Sequence, residues 1–381
     1  MPIAARPTEP AATRPAQVAS ARRPRVGWVD AAKGLCILLV VLGHAITEME
    51  AHGYSTSVWP QLNFFLGPIR MPLFFLLSGL FAAKALSESW HKLANRRIWV
   101  MVYLYVLWVP LRDLVLFALP YTRVDSEAET LPAPILELAN WPSRIYNTAH
   151  ALVEPTSYLW FLWALALFAI ISRALRSVPA VIQLVAAAAI NVWSPFSGVS
   201  WAWDFISQMA FFYLFGLHCG PWIFRMVERR NYAFLGLTLG SFLLGALWVQ
   251  LSFPSFNEGN TGFTRLFLAT TGALGAINLM ALVQHTRLVA PFEKVGRRTL
   301  PIFLMHIPML VVLLIVADFF LPADPQLFLM TPLVTAIAAL ACLGLHRALL
   351  AMGAQWLFVR PAWVVRLTTP GQSVFSATVT K

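Results

Sequence analysis

Asp30, Lys33 and His44 share one apolar run, WVDAAKGLCILLVVLGHAITEM, where groups able to bind anions or move protons are costly to keep. If the run is helical, the step of 11 residues from Lys33 to His44 is about three turns. Both side chains then share one face, about 16 Å apart along the axis. A cation near one end and an imidazole deeper in suit a lined passage, which an anionic cofactor could enter with its reactive end toward the histidine. The plainer alternative is a snorkelling lysine and a histidine hydrogen-bonded in the core.

A second run, GPIRMPLFFLLSG, carries Arg70 at a depth similar to His44, with Pro72 and Gly79 loosening the helix. A permanent guanidinium there could anchor a carboxylate, orient a substrate, or pair with Asp113 of the next run. Ser78 of the same segment has no general base near it in sequence, and is read as a small packing residue. In EPTSYLWFLWALALF, the residues Glu154, Tyr158, Trp160 and Trp163 read either as an interfacial aromatic belt or as a sugar-binding rim. VGRRTLPIFLMHIPML opens with Arg297 and Arg298 and carries His306 two to three turns in. Basic side chains and free N–H groups at a helix start favour a phosphate, although ordinary cytoplasmic positive charge explains the arginines equally well. The remaining histidines His91, His218, His285 and His346 have no metal-ligand spacing. Nor do Cys36, Cys219 and Cys342, so no metal is expected.

The elements that position these residues follow from composition. Of 381 residues, 59% are hydrophobic and only 12% charged, with a mean hydropathy of +0.68. A soluble domain carries about twice that charge, so the main solvent is lipid. A bilayer core of about 30 Å needs about 20 helical residues per crossing. Roughly ten apolar runs qualify, near 30–49, 62–86, 98–119, 157–174, 178–194, 202–224, 233–253, 265–286, 299–321 and 329–352. The expected fold is an all-α, multi-pass membrane protein of about ten transmembrane helices. Residues 1–27 read as a disordered basic tail without a signal peptide, 28–360 as the membrane domain and 361–381 as a C-terminal tail. Between the third and fourth runs, residues 120–156 read as a cap containing a short helix.

Charge sets the expected orientation. Arg22, Arg23 and Arg25, then Lys92, Arg96 and Arg97, Arg173 and Arg176, Arg225 and Arg229, and Lys294, Arg297 and Arg298 fall on one side of a ten-crossing arrangement. Only Arg123, Arg144 and Arg265 fall opposite. The positive-inside rule then puts both termini in the cytoplasm and accounts for the net charge of +11 without a nucleic-acid partner.

Four segments in order, VDAAKGLCILLVVLGH, RMPLFFLLSG, SYLWFL and VGRRTLPIFLMH, resemble the acyltransferase 3 family of polytopic membrane O-acyltransferases. The RMP variant and the VDAAKG opening look most like an uncharacterised inner-membrane branch. Lys33 and His44 meet the family's pattern of a basic residue, ten spacers and a histidine, with lysine where many members have arginine. Gly296, Thr299, Phe303 and His306 resemble its ninth-helix pattern, with Phe303 where tyrosine is common.

The resemblance implies transfer of an acyl group, expected to be acetyl, from cytoplasmic acyl-CoA (acetyl-CoA) to a hydroxyl of an extracytoplasmic glycan or other envelope acceptor. The expected setting is the bacterial inner membrane. His44 would be the general base and Arg70 would steady the thioester or the oxyanion. Lys33, Arg297 and Arg298 would hold coenzyme A phosphates. Glu154, Tyr158 and Trp160 would meet the acceptor; His306 would bind a substrate or satisfy a core hydrogen bond. Competing classes are a transporter or exporter of a small anionic or sugar-like solute, and a scaffold in which the polar residues only pair.

Overall fold

The structure, a computed structural model, describes residues 26–368 apart from 118, 120–140, 156, 230, 254, 256–258 and 321–328. Both expected tails lie largely outside the described residues, as does the first part of the 120–156 cap. The short helix expected in that cap is Trp141–Val153.

Every one of the ten apolar runs is helical over most of its length, and no strand occurs among the described residues. In chain order the helices are α1 (Gly27–Ala51), α2 (Trp59–Leu80), α3 (Trp99–Phe117), α4 (Trp141–Val153), α5 (Trp160–Ala174), α6 (Ala180–Trp193) and α7 (Trp201–Glu228). There follow α8 (Tyr232–Ser252), α9 (Gly262–Val283), α10 (Ala290–Gly296), α11 (Thr299–Asp318), α12 (Met330–Ala351) and α13 (Ala362–Thr368). Seven described helices are long and apolar enough to cross a membrane. Of the other runs, α5 and α6 are shorter, with 15 and 14 residues. The 28-residue α7 is long but less apolar, with Asp204, Gln208 and His218 along it.

The helix that carries Lys33 and His44 is the hub of the bundle, for α1 packs against α2, α9, α10, α11 and α12. Its approach to α10 is possible because glycines face backbone. A Cβ at Gly34 would lie 1.9 Å from the Phe292 carbonyl oxygen, and one at Gly296 would lie 1.7 Å from that of Asp30. A reciprocal pair joins α2 to α7, where Gly79 faces the Tyr213 carbonyl and Gly216 that of Leu76. Helices in lipid gain little from burying apolar surface against each other, so close backbone approach supplies the dispersion contact instead. Leucine-rich outer faces complete the pattern: Leu244 of α8 and Leu340 of α12 are exposed, as lipid-facing residues should be.

Prolines inside these helices release backbone carbonyls that something else must satisfy. Pro308 removes the donor that Leu304 would have used, and the Tyr158 hydroxyl takes its place, donating to the Leu304 carbonyl at 2.8 Å. Asn191 and Asn278, both fully buried, likewise donate to the backbone carbonyls of Gln208 and Asn231.

Candidate active site

Two cavities lie one behind the other along the same helices. The first, about 760 Å³, is lined by Asp30 and Lys33 of α1, Ser78 and Phe74 of α2, Arg97, Tyr213 of α7, and Arg297 and Thr299 at the start of α11. The second, about 520 Å³, is lined by Gly43, His44 and Glu50 of α1, Asn63, Arg70 and Met71 of α2, Tyr158 and Trp160, Trp201 of α7, and Phe303 and His306 of α11. Lys33 and His44 each line one of these cavities from a single unbroken helix. On α2 the cavities pass from Phe74 to Met71, and on α11 from Thr299 to Phe303, so about one helical turn separates them.

An aromatic partition fills that turn. Phe161 of α5 has its ring 4.8 Å from Phe74, which lines the first cavity, and 5.5 Å from Phe303, which lines the second. Phe161 itself is buried.

In the first cavity the charges are partly compensated. Arg297 lies 3.5 Å from Asp30 and 3.1 Å from Glu293, so Asp30 is its partner as well as a neighbour of Lys33. The Lys33 ammonium stands 5.4 Å from the centroid of the Phe81 ring. Arg97 donates to the Phe81 carbonyl at 2.7 Å. It is placed there by a π-helical turn, Ala94–Ile98, between Trp90–Leu93 and α3, a distortion that swings a side chain out of α-helical register. Arg97 belongs to the positive loops in sequence; its neighbour Arg96, in the same turn, pairs instead with Glu88 at 2.8 Å. Arg298 is exposed and does not line the cavity.

In the second cavity His44 and His306 face each other with ring centroids 5.2 Å apart. His306 is fully buried, and its Nδ1 lies 2.8 Å from the Phe303 carbonyl oxygen, so Nδ1 is the nitrogen that donates there. The Tyr158 ring packs edge-on against His306 at 4.9 Å, with the Arg112 guanidinium 5.4 Å away. Because its hydroxyl is engaged by Leu304, Tyr158 offers the cavity a ring and not a donor. Trp160 lines the cavity while stacking on Phe75 at 5.6 Å.

Arg70 donates to the Asn63 carboxamide oxygen at 2.7 Å and to the Leu39 carbonyl at 3.4 Å. Asp113, considered from sequence as its partner, instead accepts from Arg112 at 3.0 Å and Thr148 at 2.6 Å. Asn63 and Gly43 were not legible as site residues. A Cβ at Gly43 would lie 2.0 Å from the Arg70 Nη1, so the missing side chain is what admits the guanidinium beside His44. Glu154 stands apart from the cavity lining and lies 3.2 Å from His150. Glu50, by contrast, does line the cavity and accepts from Thr56 at 2.7 Å.

Comparison with known proteins bears on this arrangement. Similarity to the inner membrane protein YcfT of Escherichia coli (strain K12) extends over 161 residues at 26% identity, covering 38% of this chain and 43% of that protein. The matched stretch is thus less than half of that relative's length. No solved structure matches. A family model described as an acyltransferase domain matches residues 26–347, a span that contains both cavities and the partition between them. The chain belongs to the acyltransferase 3 family of membrane proteins.

Proposed function

We propose that the protein transfers an acyl group, acetyl in the simplest case, from acyl-CoA at the cytoplasmic face to a hydroxyl of an envelope carbohydrate or lipid-linked glycan on the far face. The setting is a bacterial inner membrane. The observation that carries this reading is the pair of stacked cavities, cationic at one end and imidazole-bearing at the other, about one turn apart on shared helices. Phosphates would be held by Lys33, Arg97 and Arg297, with Arg298 adding only longer-range attraction from outside the lining. The phosphopantetheine arm is of the same order in length as the Lys33-to-His44 rise of about 16 Å, so the thioester would reach the second cavity once the aromatic partition parts.

The sidedness proposed from loop charge fits the packing of the loops. Arg173 donates to the Leu86 carbonyl, so two loops assigned to one side by charge meet at one end of the bundle. Glu50, Asn63 and Trp201 gather at the other end.

His44 takes the proton of the acceptor hydroxyl as its oxygen attacks the thioester carbonyl carbon. Arg70, which lines the same cavity and passes over Gly43, would balance charge developing on the carbonyl oxygen. Collapse of the tetrahedral species breaks the carbon–sulfur bond, and the imidazolium returns its proton to the departing sulfur, giving the ester and free coenzyme A. His306 confines His44 from one side, and the rings of Trp160 and Trp201 offer apolar faces to an incoming sugar.

The test is transfer from labelled acetyl-CoA in membranes containing the protein, with His44→Ala at matched expression. Turnover that vanishes with His44 supports the reading. Full turnover in His44→Ala removes it, and solute uptake that needs Arg70 but not acyl-CoA points to a transporter.

A further inference from the structure

Beyond Arg70 the second cavity continues into an annex of about 360 Å³, with which it shares Asn63, Arg70, Trp201 and Phe205. The far wall of the annex is formed by Asn260 and by Arg265 of α9. Two guanidinium groups thus line one small space, and among the described residues no Asp or Glu lines it. Arg265 donates to the carboxamide oxygen of Gln208, and lies 5.8 Å from the centroid of the Phe205 ring. Both partners are neutral, so they orient the cation without cancelling its charge. Among the described residues Arg265 has no carboxylate within ion-pair reach. Asn260 is only 7% exposed, and its Oδ1 has no hydrogen-bond partner among the described residues.

The Arg265 guanidinium, held in a half-buried space by neutral partners, is costly when that space is empty, and the cost falls when an oxyanion enters; the Asn260 Oδ1, an acceptor, suits a hydroxyl of the same ligand. We propose that the annex seats an oxyanion carried by the acceptor, a carboxylate or a phosphate attached to the sugar or lipid-linked headgroup whose hydroxyl is acylated. The donor has its own cationic cavity at the opposite end of the bundle, and among the described residues the annex shares lining with the second cavity and not with the first. Arg70 would then face two ways, toward the reacting carbonyl and toward the acceptor's charge. The identification of the ligand as acceptor rests on the acyl-transfer reading; the anion subsite itself does not.

The purified full chain is titrated, without acyl-CoA and at constant ionic strength, with glucose, glucuronate and glucose 6-phosphate. Binding is read by titration calorimetry and by the thermal unfolding midpoint. The wild type is expected to bind one of the charged sugars at least about tenfold more tightly than glucose. The better of the two identifies the oxyanion as carboxylate or phosphate. Arg265→Gln should abolish the preference, and Arg265→Lys should retain part of it. Glu258, seven positions before Arg265 and outside the described residues, supplies the control: Glu258→Gln should keep the preference whole. Equal binding of charged and neutral sugars by the wild type overturns the proposal, even if Arg265→Gln does not fold. So does a preference that survives Arg265→Gln, or one that appears only in Glu258→Gln, which would make Arg265 the partner of an internal carboxylate. Charged-sugar preference without any acyl transfer would sink only the transfer reading. Transfer to acceptors with no charged preference would sink only the annex.

Discussion

The guanidinium of Arg70 passes over Gly43, where a single added Cβ would stand 2.0 Å from its Nη1. The residue next to the catalytic histidine candidate in sequence is therefore the one that sets where the Arg70 guanidinium sits in the cavity they share. In Gly43→Ala the flexible guanidinium must move by an ångström or more, while α1 gains a better helix former. Transfer should fall by about tenfold to a hundredfold with the protein still helical and still binding coenzyme A. Near-normal turnover in Gly43→Ala would show that Arg70 does not act at the position described.

Lys33 and Arg97 line the first cavity, and Arg298 does not. Lys33→Gln and Arg97→Gln should each raise KM for acyl-CoA by about tenfold with little change in kcat, as expected for loss of a charge-assisted phosphate contact. Arg298→Gln should have a distinctly smaller effect. Steady-state kinetics in proteoliposomes check the order, and an Arg298 effect equal to that of Arg97 would contradict the assignment.

Phe161 joins the two cavity walls through Phe74 and Phe303. Removing its ring in Phe161→Ala should connect the cavities to water. Hydrolysis of acetyl-CoA without acceptor should then rise relative to transfer, because exclusion of water is what such a partition provides. An unchanged ratio of hydrolysis to transfer would deny the partition that role.

Tyr158→Phe keeps the ring against His306 but leaves the Leu304 carbonyl without the donor that Pro308 cannot replace. The expected cost is about 1 to 3 kcal/mol of stability, read as a lower unfolding midpoint, with most activity per folded molecule retained. Loss of activity with unchanged stability would instead make the hydroxyl a substrate contact.

Much of this was legible without coordinates, for reasons of distance along the chain. Lys33 and His44 are on one helix, so a period of 3.6 residues suffices to put them on one face, and the apolar length of each run is enough to declare lipid as its solvent. Positions that depend on backbone distortion or on partners far away in sequence were not legible. Arg97 enters its cavity through a π-helical turn that the string ANRRI does not announce. Glu154, attractive as a sugar contact by its place beside Tyr158, lies against His150 instead.

What the amino-acid order alone determined is therefore the solvent, the helices, the face that Lys33 and His44 share, and the motifs that mark the family. Tertiary structure decided which groups meet. Arg70 binds Asn63 within its own helix while Asp113 is taken by Arg112 and Thr148. Tyr158 goes to Leu304 across 146 residues, and Arg265 reaches Gln208 across 57. Hydropathy is a property of each segment by itself, whereas pairing in lipid is chosen by which unsatisfied donors and acceptors the packed helices bring within about 3 Å of each other.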